Sequence, residues 1–276
     1  MNLPIVCFDF DGTLVDDRGR IHPKDLALLA DPEPPVDFIC TTGRPLESLR
    51  VTLQKNGLFV DRPIRWPLVL QNGALIFAPG ERKLGFSSFV SALQKEIITI
   101  ARKSPQISFL FLSDTVVYIL GEHSLGLKLA RRFEFVIQPF KSEHELLPFS
   151  KVMCISDSPA ELRTVADQAR RMPVDGAYSM PTIFEITPKG INKASGLKKL
   201  LKQLGREDEP YFAAGDGEND LELLQQARAS FAPAAAPENI KKIVLQLVDV
   251  GVDGLFEPIL KTIHAFDKAN ANVIIG

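Results

Sequence analysis

The sequence predicts a parallel α/β sheet that carries an inserted α+β unit, and three observations predict it. Short apolar runs alternate with helix-like segments in the first third of the chain, and the same alternation resumes in the last third. The stretch between them mixes hairpin-like pairs of strands with helices. Continuous apolar runs joined by helices argue for strands buried on both faces. A length of 276 residues fits one large or two modest domains. The expected division is 1–80 and 186–266 for the parallel unit and 81–185 for the insert, with 267–276 as a flexible tail.

Taken in order, residues 3–8 form an apolar strand, 23–30 a helix and 36–40 a second strand. Residues 45–55 place Leu46, Leu49 and Leu53 on one helical face, and 68–70 form a third strand. In the insert, 86–102 reads as an amphipathic helix with Phe86, Phe89, Val90, Leu93 and Ile97 on one stripe. The runs 107–112 and 116–120, separated by Ser113-Asp114-Thr115, make an antiparallel hairpin. A helix at 125–132, a strand at 152–155, a helix at 159–171 and strands at 174–178 and 182–186 complete the insert. The parallel grammar then returns. A helix at 194–204 carries Leu197, Leu200, Leu201 and Leu204 at helical spacing, followed by a strand at 211–214 and a helix at 221–227. A strand at 229–232, a helix at 237–245, a loop and a helix at 254–263 end the pattern.

Composition narrows the function. A hydrophobic share of 45% with 24% charged residues supports a sizeable core. The net charge of −2 gives no bulk electrostatic reason to bind nucleic acid or a membrane surface. Cys7, Cys40 and Cys154 lie in apolar runs without a CxxC pair and read as buried thiols of a reducing compartment. The first strand starts almost at once, so no signal peptide is expected, and no apolar run reaches a membrane-spanning length. A cytoplasmic location is the default expectation. His22, His123, His144 and His264 are isolated, and no Walker, zincin or nucleophile-elbow motif occurs.

Four segments fall where loops leave strands of the parallel unit, the place where open α/β sheets bind ligands. Asp9-Phe10-Asp11-Gly12-Thr13 follows the first strand directly. Two carboxylates two residues apart there face one small volume, which is costly unless a cation or a proton intervenes. That pattern suits hard-metal binding, attack by a carboxylate, or both, although a plain polar turn also uses Asp and Gly. Thr41-Thr42-Gly43-Arg44 precedes a helix that Pro45 can open, which makes an anion site or an ordinary cap. Residues 187–193 hold Lys189 and Lys193, either of which can neutralise a phosphate as a point charge or stay solvated. Gly215-Asp216-Gly217-Glu218-Asn219-Asp220 offers three acids and an amide in six residues, a string that suits Mg²⁺. Acids at the positive end of a helix explain part of that string without a metal.

In this order, D-x-D-G-T, T-T-G-R, a lysine and G-D-x-x-N-D resemble the motifs of the haloacid dehalogenase superfamily. Gln71-Asn72-Gly73-Ala74, the K-G-x-x-K segment and the large insert are similar to its Cof-like phosphatase branch, which bears a C2-type cap. The resemblance runs to about residue 260. It implies a Rossmann-like HAD core with an α+β cap, and an enzyme that uses Mg²⁺. It further implies that Asp9 is the nucleophile and Asp11 the acid/base. Thr41, Thr42, Gly43 and Arg44 would lie at the phosphate, with Lys193 stabilising its charge and Asn219 supporting it. The metal set would be Asp9, Asp11 through its backbone carbonyl, Asp216 and Asp220. Relatives often carry G-N-A where this chain has Pro233-Ala234-Ala235-Ala236. The expected function is a Mg²⁺-dependent phosphatase of small phosphorylated metabolites, sugar phosphates foremost, through an aspartyl-phosphate. A phosphomutase-type transferase and a non-catalytic phosphate-ester-binding protein are the alternatives. No protein partner is evident.

Overall fold

The computed structural model describes residues 2–121 and 124–274, and for 269–274 the backbone alone. From the N-terminus run β1 (Ile5–Phe8), α1 (Pro23–Ala30), β2 (Asp37–Thr41), α2 (Leu46–Lys55), β3 (Leu68–Leu70), β4 (Leu75–Ala78) and β5 (Arg82–Phe86). Next come α3 (Ser91–Lys103), β6 (Ser108–Leu112), β7 (Val117–Leu120), α4 (Ser124–Arg132) and β8 (Ile137–Pro139). They are followed by β9 (Lys151–Ile155), α5 (Pro159–Ala169), β10 (Val174–Met180) and β11 (Ile183–Pro188). The last stretch holds α6 (Lys193–Gln203), β12 (Tyr211–Ala214), α7 (Leu221–Gln226), β13 (Ala229–Pro233) and α8 (Glu238–Lys241). It closes with β14 (Gln246–Val248), α9 (Val250–Asp253) and α10 (Phe256–Ile274).

Two sheets result. The first has eight strands in the order β14-β13-β12-β1-β2-β3-β4-β5. It is parallel from β14 to β3 and antiparallel at β3–β4 and β4–β5. Helices cover both faces, which explains why β1 is apolar without interruption: Val6 and Phe8 join one core cluster, Ile5 and Cys7 the other. The second sheet has six strands in the order β10-β11-β9-β6-β7-β8 and is antiparallel apart from the β7–β8 pair. Side chains of α3 and α5 pack on one of its faces with Phe109 and Phe111, and those of α4 on the other with Leu110 and Leu112.

The structure departs from the sequence expectations at several elements. Phe86 closes β5 opposite Leu75 in the eight-stranded sheet, so the helix starts only at Ser91 and Val90 stands exposed before it. The eight-stranded sheet therefore runs past the expected boundary at 81, while β11 keeps residues 186–188 in the six-stranded sheet. The expected helix at 237–245 is one short turn, α8, followed by the edge strand β14. Helix α10 continues to Ile274, through most of the segment expected as a tail. Its start is fixed by Asp25, a buried carboxylate of α1 that accepts the N–H groups of Leu255 at 2.7 Å and Phe256 at 2.9 Å. Among the described residues no helix is long and apolar enough to cross a membrane.

Candidate active site

The C-terminal ends of β1, β2 and β12 open into a cavity of about 690 Å³ that the six-stranded sheet closes from above. Asp9 extends β1 by one step, its N–H donating to the Ala214 carbonyl at 2.9 Å. The neighbouring Gly12 adopts φ +78°, and a Cβ there would lie 2.5 Å from Asp216 Oδ2. Only glycine lets the two acid-bearing loops approach this closely. Thr13 strengthens the junction by donating its hydroxyl to Asp216 Oδ1 at 2.9 Å.

Lys193, fully buried, is the first residue of α6. Asn192 caps that helix by accepting the Ser195 N–H at 2.8 Å, while Ser195 Oγ accepts the Asn192 N–H at 3.0 Å. The cap aims Lys193 Nζ at Asp9 Oδ1, 2.5 Å away, and Asp220 Oδ1, 2.7 Å away. Burial works to discharge this lysine, but Asp220 and Asp9 outweigh it and hold its pKa above the usual value. Burial pushes the Asp9 carboxyl well above the carboxylate range, with Lys193 opposing and Asp220 and Asp216 adding to the rise. Asp216 is raised by burial and then by Asp220, with Thr13 and Lys193 opposing.

Asp9, Asp216 and Asp220 each turn an oxygen into one place, all within 4.8 Å of one another. Three hard oxygen donors without a soft partner fit Mg²⁺, and a cation there would offset the burial and mutual repulsion that raise Asp9 and Asp216. Asp11 is outside that trio, because its carboxylate pairs with Arg44 through Nε at 2.8 Å and Nη2 at 2.6 Å.

Several expected ligand residues sit elsewhere. Thr41 is buried and donates its hydroxyl to the Phe8 carbonyl at 3.2 Å, behind the cavity rather than at its floor. Arg44 does line the cavity, but its guanidinium is engaged by Asp11, Ser48 and Thr52. Thr42 and Gly43 do line the cavity, as does Asn219, whose amide donates to Asn72 Oδ1 at 3.3 Å. Lys189 is exposed and pairs with Asp175 at 2.6 Å, away from Asp9. Cys7, Cys40 and Cys154 are buried thiols whose pKa values burial drives up, which makes them inert. His22 caps α1, and neither His144 nor His264 lines the cavity, while His123 lies outside the described residues.

Some residues at the site carried no motif. Lys151 and Glu185 pair at 2.7 Å on β9 and β11, nearly buried, above the floor. Lys151 Nζ lies 3.4 Å from the Gly43 carbonyl, and Asn72 Nδ2 donates to Glu185 at 2.7 Å. The available signal was a charge opening one apolar strand and interrupting another, since buried charges require partners. Met153, Tyr178, Met180 and Ile183 add an apolar ceiling.

A family profile described as haloacid dehalogenase-like hydrolase matches residues 6–250. The HMP-PP phosphatase of Serratia proteamaculans is 25% identical over 90% of this chain and 89% of its own. The Thermotoga maritima protein TM0651 superposes with a TM-score of 0.77 at 24% identity, covering 93% of this chain and 97% of its own. A structure titled as the HAD subclass IIB sugar phosphatase BT4131 gives a TM-score of 0.75 at 19% identity over 94% and 98%.

Proposed function

The chain belongs to the haloacid dehalogenase-like hydrolase family, and from that premise we propose that it is a Mg²⁺-dependent phosphatase of small phosphorylated metabolites. The observation that carries this reading is the constellation of buried Asp9, Lys193 and Asp220 with part-buried Asp216 at the mouth of the parallel sheet. A phosphate monoester needs little covalent assistance. It needs an aligned nucleophile and positive charge around its oxygens.

Asp9 attacks phosphorus in line, and its carboxylate becomes an aspartyl-phosphate. Lys193 holds a phosphoryl oxygen and offsets the repulsion between a carboxylate and a dianion, with Thr42, Gly43 and Asn219 cradling the remaining oxygens. Asp11 gives its proton to the departing alkoxide, then removes one from the water that cleaves the acyl phosphate. Arg44 holds the ionised form of Asp11, the base, by two parallel hydrogen bonds that fix its plane. The acid form, made when Asp11 takes a proton from water, carries that proton on one oxygen and keeps the Arg44 bond through the other. Mg²⁺, held by Asp9, Asp216 and the Asp11 carbonyl with Asp220 in support, would neutralise charge on the phosphoryl group. The six-stranded sheet acts as a cap that excludes water and meets the leaving group through Met153, Tyr178, Met180 and Ile183. The named phosphatase relative and the sugar phosphatase of like fold support this substrate class, with sugar phosphates as its first members to test.

The test is turnover of a panel of phosphorylated metabolites and p-nitrophenyl phosphate with and without Mg²⁺. Hydrolysis that ends on chelation and returns with Mg²⁺ is expected. Full activity after exhaustive chelation, or none on any ester, overturns the reading. A requirement for a bisphosphate activator would mark a mutase instead.

A further inference from the structure

We propose that Glu134, in the loop between α4 and β8, is a positioning residue that fixes Asp11 through Thr52 and Arg44 when the cap is seated on α2. This rests on Asp11 serving as the acid/base of the proposed phosphatase. Ser48 and Thr52 stand one turn apart on α2 and so share a face. Both touch the same edge of Arg44: Nη1 donates to Thr52 Oγ1 at 2.6 Å and to Ser48 Oγ at 3.3 Å. The two hydroxyls then donate to consecutive residues of the cap. Ser48 reaches the Phe133 carbonyl at 2.5 Å, and Thr52 reaches Glu134 Oε2 at 2.5 Å. Lys55, about one turn further along the helix, pairs with Glu134 Oε1.

The opposite edge of the same guanidinium is the one that holds Asp11. Phe10 lies under its plane, 5.1 Å from the ring centroid. A guanidinium is a rigid planar fork, so fixing one edge fixes the other. Seating the cap tip therefore orients Arg44, and Arg44 orients Asp11. The backbone of Glu134 points the same way. It sits at φ +58° in the turn that ends α4, its N–H donating to the Arg131 carbonyl at 3.1 Å and that of Phe135 to the Ala130 carbonyl at 2.9 Å, and this turn carries the side chain toward α2.

Steady-state kinetics on p-nitrophenyl phosphate with Mg²⁺ test the relay in the full-length protein. Glu134→Ala should lower kcat on the order of tenfold, with KM changed less than about twofold, because orientation rather than binding is lost. Glu134→Gln keeps the acceptor for Thr52 and should retain most of the activity. In an Asp11→Asn background, Glu134→Ala should add no further loss. Equal losses in the two backgrounds, or an unchanged kcat in Glu134→Ala, overturn the proposal. A second measurement needs no turnover. The NMR signal of the Arg44 Nε–H, identified by its disappearance in Arg44→Lys, should move in Glu134→Ala and return in Glu134→Gln. A signal that stays in place overturns the relay even if no ester proves to be a substrate, and an inactive wild type with a moving signal overturns the phosphatase reading alone.

Discussion

Asp9 and Asp11 are two residues apart and meet different partners, so their amide variants separate two roles. Asp9→Asn removes the attacking charge and should leave no phosphoenzyme. Asp11→Asn leaves Asp9 able to attack but removes the acid and base, each worth about 10²–10⁴-fold. With a good leaving group the second step should suffer most, so hydroxylamine-sensitive labelling should accumulate in Asp11→Asn and vanish in Asp9→Asn. Equal labelling of both variants would falsify the assignment. The raised proton affinities of Asp9 and Asp216 carry a further expectation. A carboxyl whose folded pKa lies above its unfolded value binds extra protons in the native state. Metal-free stability is then greatest below the unfolded pKa and falls as pH rises through the folded one. Mg²⁺ should therefore raise the melting temperature more at about pH 7.5 than at about pH 5, where protons compete with it. A shift equal at both values, read by calorimetry, would tell against carboxylate ligation there. At this scale the sequence is legible where chemistry is written into short strings at strand ends, as for Asp9 and Asp216. It is not legible where a side chain's direction decides. Thr41 and Thr42 are adjacent, yet one faces back to Phe8 and the other faces the cavity. Arg44 reads as a phosphate ligand, and the sequence does not show that its guanidinium also meets Asp11 and, on α2, Ser48 and Thr52.

Among the elements, α6 matters most, since its first residue is Lys193. The helix approaches the turn after β3 so closely that a Cβ on Gly73 would lie 2.0 Å from the Asn192 carbonyl, and one on Gly196 2.5 Å from the Gly73 Cα. Gly73 is also held at φ +97°. Gly73→Ala should thus cost at least about 1–3 kcal/mol and displace the capped end that aims Lys193, lowering both melting temperature and kcat. Gly57→Ala is the comparison: its φ is +79° with nothing within 4 Å, so the cost is backbone strain of roughly 1–2 kcal/mol and kcat should hold. Equal loss of activity in the two variants would separate Lys193 placement from the Gly73 contact. Long apolar runs announced the central strands and most helices. Of the strands that escaped, β4 is an interior apolar run, Leu75–Ala78, joined to β3 by so short a turn that the two read as one stretch, and the others are short or at edges. β14 is three residues with two exposed, and β5 opens with charged Arg82 and Lys83, so neither shows an apolar run. Phe86 matched the spacing of the following helix by coincidence, and only sheet pairing with Leu75 reveals its place.

In the molecule as a whole, the two sheets divide the labour proposed here: the eight-stranded one carries the attacking group and the acids around it, the six-stranded one the ceiling with the Lys151–Glu185 pair. Met153→Ala and Met180→Ala should accordingly change the order of kcat/KM among esters with different leaving groups while altering p-nitrophenyl phosphate hydrolysis less. Uniform loss across the panel would count against a specificity role. The bipartite plan was readable from the change of grammar along the chain, because parallel and antiparallel sheets impose different patterns of burial. Its seam was not, because β5 and β11 pass the expected boundaries and only hydrogen bonding assigns a strand to a sheet. The position of β1 has one more consequence. It lies between β2 and β12, with Ile5 registered against Tyr211. During synthesis the ribosome releases the six-stranded sheet, complete at Pro188, before the partner for the far edge of β1 exists. The insert can mature on an unfinished host, and for that interval the nascent chain must keep an unpaired, wholly apolar strand from finding the wrong neighbour.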